Sequence, residues 1–278
     1  KYRYQYPIDL MCKVLEINRS TYYKKINKVP SQRELDTQKL DAEIKQIYLD
    51  SKKRYGAPKI HKILLSNGRT VSLKRVQRRM ASMGIRSIVI KRYRYYSDNQ
   101  KVEEQENILN QDFTATGINQ KWCTDITYIH TLKDGWTYLA SVMDFFSKKI
   151  IGWAYGTHMT AELALKALKN ACLNVETTEG IILHSDLGSQ YTSELFENFI
   201  TKAKMKHSFS RKGCPYDNAC IESFHSLLKK EEVHCKTYID STDAYNNIFE
   251  YIESWYNHKR IHSSLNYRTP NAVHSACA

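Results

Sequence analysis

The spacing of apolar residues changes near Trp122, and this change limits the chain to a fold made of two unlike parts. Before Trp122, apolar residues recur three or four positions apart, as on one face of a helix. After it, WCTDITYIHT alternates as strands do, Asp134-Gly135 is typical of a hairpin turn, and WTYLASVMDFFS and KKIIGWAYGTH predict two further strands. We therefore expect a helical N-terminal part, followed by a domain that opens with three antiparallel strands.

The rest of the second part predicts helices and strands in alternation. Helical patterns occur in ELALKALKNACL, SELFENFITKAK and NACIESFHSLLKKEE. GIILHSD is typical of a buried strand and KHSFS of a short one, while residues 243–258 predict a final amphipathic helix. Three antiparallel strands followed by this alternation predict a mixed α/β domain.

Residues 7–28 predict two short helices around a turn. Ser20 is the expected N-cap of the second helix, because its side chain can accept a hydrogen bond from a free backbone N–H group. The pattern fits a helix-turn-helix unit, and an ordinary helical hairpin explains it equally well.

A second helical segment, residues 36–84, predicts three helices and a DNA-binding helix-turn-helix domain. Ser72 is the expected N-cap of the third helix, SLKRVQRRMASMG. We expect Val76 and Met80 to face inward. Four basic residues are expected to face outward, as in a recognition helix or a helix that contacts phosphates: Lys74, Arg75, Arg78 and Arg79.

Positive charge is concentrated in one stretch of the chain. The net charge is +13, from 42 Lys and Arg against 29 Asp and Glu, and residues 51–100 hold 14 Lys and Arg against one acid. The rest of the chain is therefore neutral overall. A solubilising surface is the alternative explanation, but a surplus this concentrated favours nucleic acid as the partner.

Seven scattered cysteines contain no CxxC pair, so neither a zinc ribbon nor a redox pair is indicated. A reducing bacterial cytoplasm, with the protein associated with the nucleoid, is the expected location. The sequence shows no signal peptide and no apolar run of membrane-spanning length. Because the first residue is Lys1 rather than Met, we expect a fragment of a longer product or a processed one.

Residues 88–118 predict a linker between domains. Its basic and aromatic run KRYRYYSDNQ suits stacking and phosphate contact with DNA through Lys91, Arg92 and Arg94, and KVEEQENILNQ is polar and of low complexity. The expected segments are two helix-turn-helix units, the linker, a catalytic core and a C-terminal helical extension, over residues 1–30, 31–87, 88–118, 119–235 and 236–278.

Three acidic residues lie where an acid needs an explanation. Asp125 interrupts an apolar and β-branched strand, Asp186 ends the strand IILHSD, and Glu222 lies on a helix. In a ribonuclease H-like fold with this order of elements, the first and fourth strands are neighbours. That arrangement would bring Asp125 beside Asp186, with the helix of Glu222 crossing the same edge. Each acid taken alone has a structural explanation about as good, so the prediction depends on the set.

Together, the three carboxylates predict a two-metal catalytic site. They could hold two Mg²⁺ or Mn²⁺ ions about 4 Å apart, because these cations prefer oxygen ligands. One ion would activate the attacking water or 3′-hydroxyl, and the other would stabilise the leaving 3′ oxygen. The expected reaction is an in-line displacement at phosphorus without a covalent protein intermediate.

Polar neighbours of these acids have candidate supporting roles. His184 lies two residues before Asp186 and so points to the same face of the strand, where it could bond to a carboxylate or to DNA; a satisfied core histidine is the alternative. Asn218 is the expected N-cap of the helix that carries Glu222. Asp144 is the rival carboxylate, interpreted as a turn or hydrogen-bonding residue.

Basic residues near the acids are further candidates for contact with DNA, because a lysine or arginine there can bind a phosphate of the strand. They are Arg211, Lys212, Lys229 and Lys230. The tryptophans are expected in the core rather than as platforms for nucleotides. They are Trp122, Trp136, Trp153 and Trp255.

The local motifs resemble one family over essentially the whole chain. They are WCTDITYI, YLASVMDFFSKKIIGW, HSDLGSQYTS, SRKGCPYDNACIESFHSLLKKE and WYNHKRIHSSLNYRTP. They resemble the retroviral-integrase-like core of insertion-sequence-three family transposases, second reading frame, and SKKRYGAPKIHKIL with VSLKRVQRRMASMGI resembles that family's helix-turn-helix region. The gaps of 60 residues between Asp125 and Asp186 and 35 between Asp186 and Glu222 are also similar to those of DDE recombinases.

The resemblance implies a DNA transposase that cuts and joins strands at insertion-sequence ends. It implies Asp125, Asp186 and Glu222 as catalytic and metal-binding residues, with Lys229 as the basic residue that the family carries on the same helix. The implied partners are double-stranded DNA, as terminal inverted repeats and target, and further copies of the chain in at least a dimer. A fusion to a first-frame leucine-zipper segment and a circular DNA intermediate are also implied.

Two alternatives remain open from the sequence. A two-metal nuclease of the ribonuclease H-like fold would share the acids but would lack the basic helical front part and the 35-residue gap. A non-enzymatic DNA-binding regulator would leave three well-spaced acids as a coincidence.

Overall fold

The computed structural model describes residues 4–27, 29–89, 107–109, 112, 114–211 and 218–277. The chain divides into two compact units, Lys1–Arg86 and Ser87–Ala278. The finer division into five segments stays a prediction. Some of the residues expected to contact DNA lie outside the described residues, namely Lys91, Arg92, Arg94 and Lys212.

The first unit is helical, and capping residues set where its helices begin. The described helices are α1 (Ile8–Val14), α2 (Arg19–Ile26), α3 (Gln32–Asp50), α4 (Ala57–Ser66) and α5 (Leu73–Ser82). Helix α3 begins earlier than predicted, because Ser31 and Glu34 form a reciprocal capping box. Ser72 caps α5 as predicted. Helix α2 is capped by Asn18, whose side chain accepts the N–H of Ser20, so the predicted cap was wrong.

A small apolar core lies among α3, α4 and α5. Leu40 and Ile44 of α3 are fully buried, and so is Ile60 of α4. Val76 and Met80 of α5 are also buried, which confirms their predicted inward orientation. Each helix therefore buries one face, and the polar side of α5 lies away from this core.

The second unit is built on a mixed sheet. Its described strands are β1 (Lys121–Thr131), β2 (Gly135–Asp144), β3 (Ile150–Gly156), β4 (Ile182–Ser185) and β5 (Lys206–Phe209). Their order is β3-β2-β1-β4-β5, with β1, β2 and β3 antiparallel and β1, β4 and β5 parallel. Gly135 makes the tight turn of the predicted hairpin at a φ of +69°. This is the ribonuclease H-like order of strands, and the first and fourth strands are neighbours as predicted.

Helices pack on the sheet of the second unit. Among the described residues of the chain, no helix is both long and apolar enough to cross a membrane. The described helices of this unit are α6 (Ala161–Cys172), α7 (Glu194–Lys202), α8 (Ala219–Glu231), α9 (Ser241–Phe249) and α10 (Pro270–Ser275). Helices α6 and α7 share an apolar cluster with Trp122 and Leu183. Gly152 lets α6 approach β3, since a Cβ there would lie 2.4 Å from the backbone nitrogen of Ala171. Helix α8 contacts β1 and β2.

The C-terminal residues pack against the sheet rather than forming one isolated helix. Where the sequence predicted a single helix over 243–258, α9 is followed by a π-helix, Glu250–Tyr256. The buried side chain of Asn257 accepts the N–H of Ile150 at 3.0 Å and donates to its carbonyl at 3.0 Å. A β-bridge also joins Tyr238 to Thr131 at the end of β1. These contacts make the C-terminal segment an integral part of the second unit.

Candidate active site

Asp125 lies on the part of β1 that is not paired with β4. The pairing of β1 with β4 runs over residues 121–123, and Asp125 is two residues beyond it, opposite Ser141 of β2. One carboxylate oxygen accepts the N–H of Ile126 at 2.8 Å. The other lies 3.3 Å from Nδ1 of His225 on α8. Asp125 is thus held between the sheet and α8, with one side open to solvent.

Asp186 directly follows β4, at the sheet edge that β1 and β4 share. Its carboxylate accepts the N–H of Gly188 at 3.0 Å. Burial, and then the charge of Asp125, raise the pKa of Asp186, while the hydrogen bond from Gly188 acts in the opposite direction. The charge of Asp125 therefore disfavours the ionisation of Asp186.

Glu222 occupies the first turn of α8. Burial raises the pKa of Glu222, and the charges of Asp125 and Asp186 raise it further, while His225 opposes them. The three acids thus form one electrostatic cluster, although β1, the end of β4 and α8 supply one each. Among the described side chains, no set of three or more acids, histidines or cysteines is arranged as ligands of one metal ion.

A cleft of about 370 Å³ lies beside Asp125 and Glu222. Its basic wall comes from Lys229 and Lys230 of α8 and from His234. Burial lowers the pKa of Lys229, and the charge of Asp125 opposes this effect. Lys229 therefore lies on the same helix face as Glu222, as its spacing of seven residues predicted. Carboxylates and lysines that line one cleft fit a phosphodiester with bound cations.

His225 is a site residue that sequence reasoning missed. It is buried, and its second ring nitrogen lies 3.4 Å from Oγ of Ser141, so the ring lies between β2 and Asp125. The available signal was its position three residues after Glu222, which places both residues on one helix face. A histidine on an amphipathic helix has too many ordinary explanations for that spacing alone to single it out.

The structure assigns structural contacts to the other polar candidates. The ring nitrogens of His184 lie 3.0 Å from Oγ of Ser208 and 3.1 Å from Oγ of Ser210. His184 is therefore a buried histidine with hydrogen-bond partners in the core, which was the alternative interpretation. Asp144 is fully buried and accepts three hydrogen bonds, from Asn119 N–H and from the N–H and hydroxyl of Ser147, as a hydrogen-bonding residue should.

Asn218 lies at the N-cap position of α8, as predicted, but its side chain makes no capping hydrogen bond there. Its Oδ1 atom is buried and has no hydrogen-bond partner among the described residues. The prediction that its side chain caps the helix is therefore not met. Arg211, at the end of the preceding described segment, is exposed.

The C-terminal segment holds the last residue of α8 through a buried ion pair. Arg260 donates to Glu231 from Nε at 3.1 Å and from Nη2 at 2.8 Å. Tyr251 and Trp255 of the π-helix donate to the same carboxylate, at 3.1 and 3.2 Å. Burial lowers the pKa of Arg260, but the charge and hydrogen bonds of Glu231 outweigh it and leave the pKa raised. The C-terminal end of α8, the helix that carries Glu222, is therefore held by residues that lie up to 29 positions after Glu231 in the chain.

The four basic residues of α5 do not all face outward. Lys74 and Arg78 are exposed, as predicted. Arg75 instead donates to Asp36 at 2.8 Å, and Arg79 donates to Asp41 at 2.7 Å. Both acids lie on α3, so these two arginines hold α5 against α3. The prediction of an outward orientation was wrong for Arg75 and Arg79, because periodicity identifies a helix face but not its ion-pair partners.

We expect Arg78→Ala to lower the affinity for DNA and to reduce the slope of log affinity against log salt by about one. Arg78 is exposed on the polar face of α5, so its guanidinium is available to a phosphate. Arg79→Ala is the matched control; it removes the pair with Asp41 and should lower the melting temperature more than the salt slope. Fluorescence anisotropy over a salt series measures both slopes. An unchanged slope for Arg78→Ala would move the DNA contact elsewhere.

Comparisons with known families match a domain in each of the two units. Residues 34–93 match the model of an HTH-like domain, and residues 115–215 and 203–270 match two models of the integrase core domain. The transposase for insertion sequence element IS904 of Lactococcus lactis is 38% identical over 242 residues, which cover 87% of this chain and 95% of that protein. The transposase InsF for insertion sequence IS3A of Escherichia coli is 36% identical over 266 residues, which cover 95% of this chain and 92% of that protein.

Among solved structures, the HTLV-2 integrase catalytic core domain in complex with magnesium is similar to 58% of this chain and 99% of its own, at 18% identity and a TM-score of 0.43. The order of strands and the matched domains define a polynucleotidyl transferase with an integrase core and an HTH-like domain before it. The chain belongs to the insertion-sequence transposases of the IS3 and IS904 kind. The resemblance inferred from its motifs is confirmed, and the nuclease and regulator alternatives are not favoured, because these relatives are transposases.

Proposed function

We propose that this transposase cuts and joins DNA strands at insertion-sequence ends with Asp125, Asp186 and Glu222 as its catalytic carboxylates. The observation that carries the proposal is the shared electrostatic cluster of these acids. Burial and the charge of Asp125 raise the pKa of both Asp186 and Glu222. Such raised values are typical of carboxylates gathered for a positively charged ligand or a proton.

The chemistry of these residues fits divalent cations, and we propose two Mg²⁺ or Mn²⁺ ions per site. Three carboxylates offer the hard oxygen ligands that these cations prefer. The three acids repel one another, and burial raises the cost of that repulsion. Bound cations would relieve it.

When bound, such ions activate the attacking water or 3′-hydroxyl and stabilise the leaving 3′ oxygen. The protein's own side chains orient the strand. Lys229 and Lys230, which line the same cleft as Asp125 and Glu222, bind phosphates of that strand. His225, 3.3 Å from Asp125, keeps that carboxylate turned toward the cleft. Cleavage breaks a P–O3′ bond by hydrolysis and leaves a 3′-hydroxyl and a 5′-phosphate. In joining, that 3′-hydroxyl forms a new phosphodiester with a target phosphate, whose own P–O3′ bond breaks and releases a target 3′-hydroxyl.

The DNA partner is double-stranded, as the terminal inverted repeats of the element and a target. Lys74 and Arg78, exposed on α5 of the HTH-like domain, are the proposed contacts in the first unit. Arg211, Lys229 and Lys230 are the proposed contacts in the second. Two element ends must be joined to one target, so we propose a homo-oligomer of at least two copies.

A strand-transfer assay tests the proposal. The protein is incubated with a labelled duplex that carries the element end, a target duplex and Mg²⁺. We expect a nicked intermediate and a longer joined product, and neither with EDTA. Cleavage of RNA–DNA hybrids without joining would contradict the proposal in favour of a ribonuclease, and binding without any product would favour a regulator.

A further inference from the structure

Two large aromatic side chains on the β1–β2 hairpin are exposed. Tyr128 of β1 is 56% exposed and Trp136 of β2 is 54% exposed, whereas Trp122 of the same strand pair is fully buried. The sequence predicted all four tryptophans in the core, and for Trp136 that prediction was wrong. Large aromatic side chains left in water are characteristic of binding surfaces.

These two side chains and His130 form one row, which we call the aromatic row. The rings of Tyr128 and Trp136 lie 5.1 Å apart in an edge-to-face arrangement. His130 pairs with Trp136 across the hairpin, and their rings lie 5.0 Å apart, also edge to face. The indole of Trp136 therefore contacts both of the other rings, so the three side chains form one continuous surface.

The aromatic row is continuous with the cleft of the acids. Tyr128 lines that cleft together with Asp125 and Glu222. The ammonium group of Lys229 lies 4.0 Å from the centre of the Tyr128 ring. Tyr128 is three residues beyond Asp125 on β1, which is a distance of about 10 Å along a strand. A DNA strand with a phosphate at the acids would therefore reach the row within about three base steps.

We propose that Tyr128 and Trp136 form a stacking surface for an unpaired nucleobase of the element end, within about three nucleotides of the phosphate that the acids hold. The inference rests on the proposed function, because it places the scissile phosphate at Asp125. The lysines of the cleft supply charge complementarity to the strand, and the exposed parts of the Tyr128 and Trp136 rings supply apolar surface on which a base can stack. The element end, rather than the target, is the occupant, because it must lie at the acids in both cleavage and joining.

Fluorescence of 2-aminopurine tests this surface. The probe is an element-end duplex with an unpaired overhang of about three nucleotides, labelled at one overhang position at a time. In EDTA, which stops cleavage, the wild-type protein should quench the label at one or more of these positions. Tyr128→Ala and Trp136→Ala should abolish that quenching and weaken binding of the overhang duplex about tenfold, with a much smaller effect on a fully paired duplex. Tyr128→Phe and Trp136→Phe retain an aromatic face and should keep most of the quenching.

Tyr245→Ala is the matched control, because Tyr245 is an exposed aromatic residue of α9 that packs on Trp153 instead of the cleft. It should bind and quench as the wild type does. Unchanged quenching in both row variants would overturn the proposal, and so would quenching of labelled target DNA alone. Row variants that alter only the oligomeric state in light scattering would also overturn it, in favour of contact with a second copy. Quenching without strand transfer in Mg²⁺ would contradict the proposed function and still support the stacking surface.

Discussion

Strand cleavage and strand transfer should both fall about a thousandfold in Asp125→Asn, a loss of about 4 kcal/mol of transition-state stabilisation. Asp125 is the acid whose charge acts on both other carboxylates, so its loss removes a shared part of the site. Asp186→Asn and Glu222→Gln should have effects of the same order. Single-turnover assays with a labelled element end measure the rates, and anisotropy should show DNA binding largely unchanged. A variant that kept near-normal strand transfer would show that its acid is misassigned.

Two of these variants, Asp186→Asn and Glu222→Gln, should not lose stability. A carboxyl group whose pKa is higher in the folded chain than in the unfolded chain favours folding when protonated, and this contribution is lost as pH rises through the folded value. Asp186 and Glu222 are such groups, so at neutral pH their amide variants should melt in EDTA at the wild-type temperature or above it. Lower melting would show that the acids serve structure.

Asp144→Asn is the matched control for the acids. Asp144 is buried, and its carboxylate accepts hydrogen bonds from Asn119 and Ser147. An amide there would direct an N–H group at one or more of these donors, so the variant should lose about 1.5–3 kcal/mol of stability. Opposite effects on melting at Asp144 and at Asp186 would separate the structural acid from the catalytic one.

Arg260→Ala should destabilise the second unit by about 3–5 kcal/mol, because it leaves the buried carboxylate of Glu231 without its counter-charge. For a unit of this size the melting temperature should fall on the order of 10 °C. Arg260→Lys should recover only part of the loss, because an ammonium group cannot reproduce the two-pronged contact with Glu231. Thermal and urea unfolding measure both effects.

Arg268→Ala is the control for Arg260, since Arg268 is exposed and its loss should change stability by no more than about 0.5 kcal/mol. The double variant Glu231→Met with Arg260→Met should be more stable than Arg260→Ala alone, because it leaves no unpaired charge. Equal stability of Arg260→Ala and wild type would show that the ion pair contributes nothing to holding α8.

Local signals in the sequence predicted the elements well, for reasons visible in particular residues. The alternation around Asp125 and the Asp134-Gly135 turn depend on neighbours in sequence, so the β1–β2 hairpin follows from them. Ser72 caps α5 because the bond reaches only three residues along the chain. Prediction of caps failed where two residues that can both cap a helix lie close together in the chain. Asn18 rather than Ser20 caps α2.

The candidate site was predicted unevenly. Asp125 and Asp186 were chosen as candidates because an acid in an apolar strand or at a strand end is costly without a ligand, whereas the choice of Glu222 depended on its spacing from Asp186. His225 was missed because its role depends on two partners in other elements, Asp125 and Ser141. Arg79 was misread because its partner, Asp41, lies on another helix.

By itself the sequence determined the types of element and their order, because periodicity, caps and turns act over a few residues. It also determined the family, through motifs spread along the chain. Only the tertiary structure decided that Arg79 pairs with Asp41, that Arg260 reaches Glu231 and that Trp136 stays in water. These outcomes depend on which distant surfaces meet, and a residue's own neighbours in the chain carry no record of that.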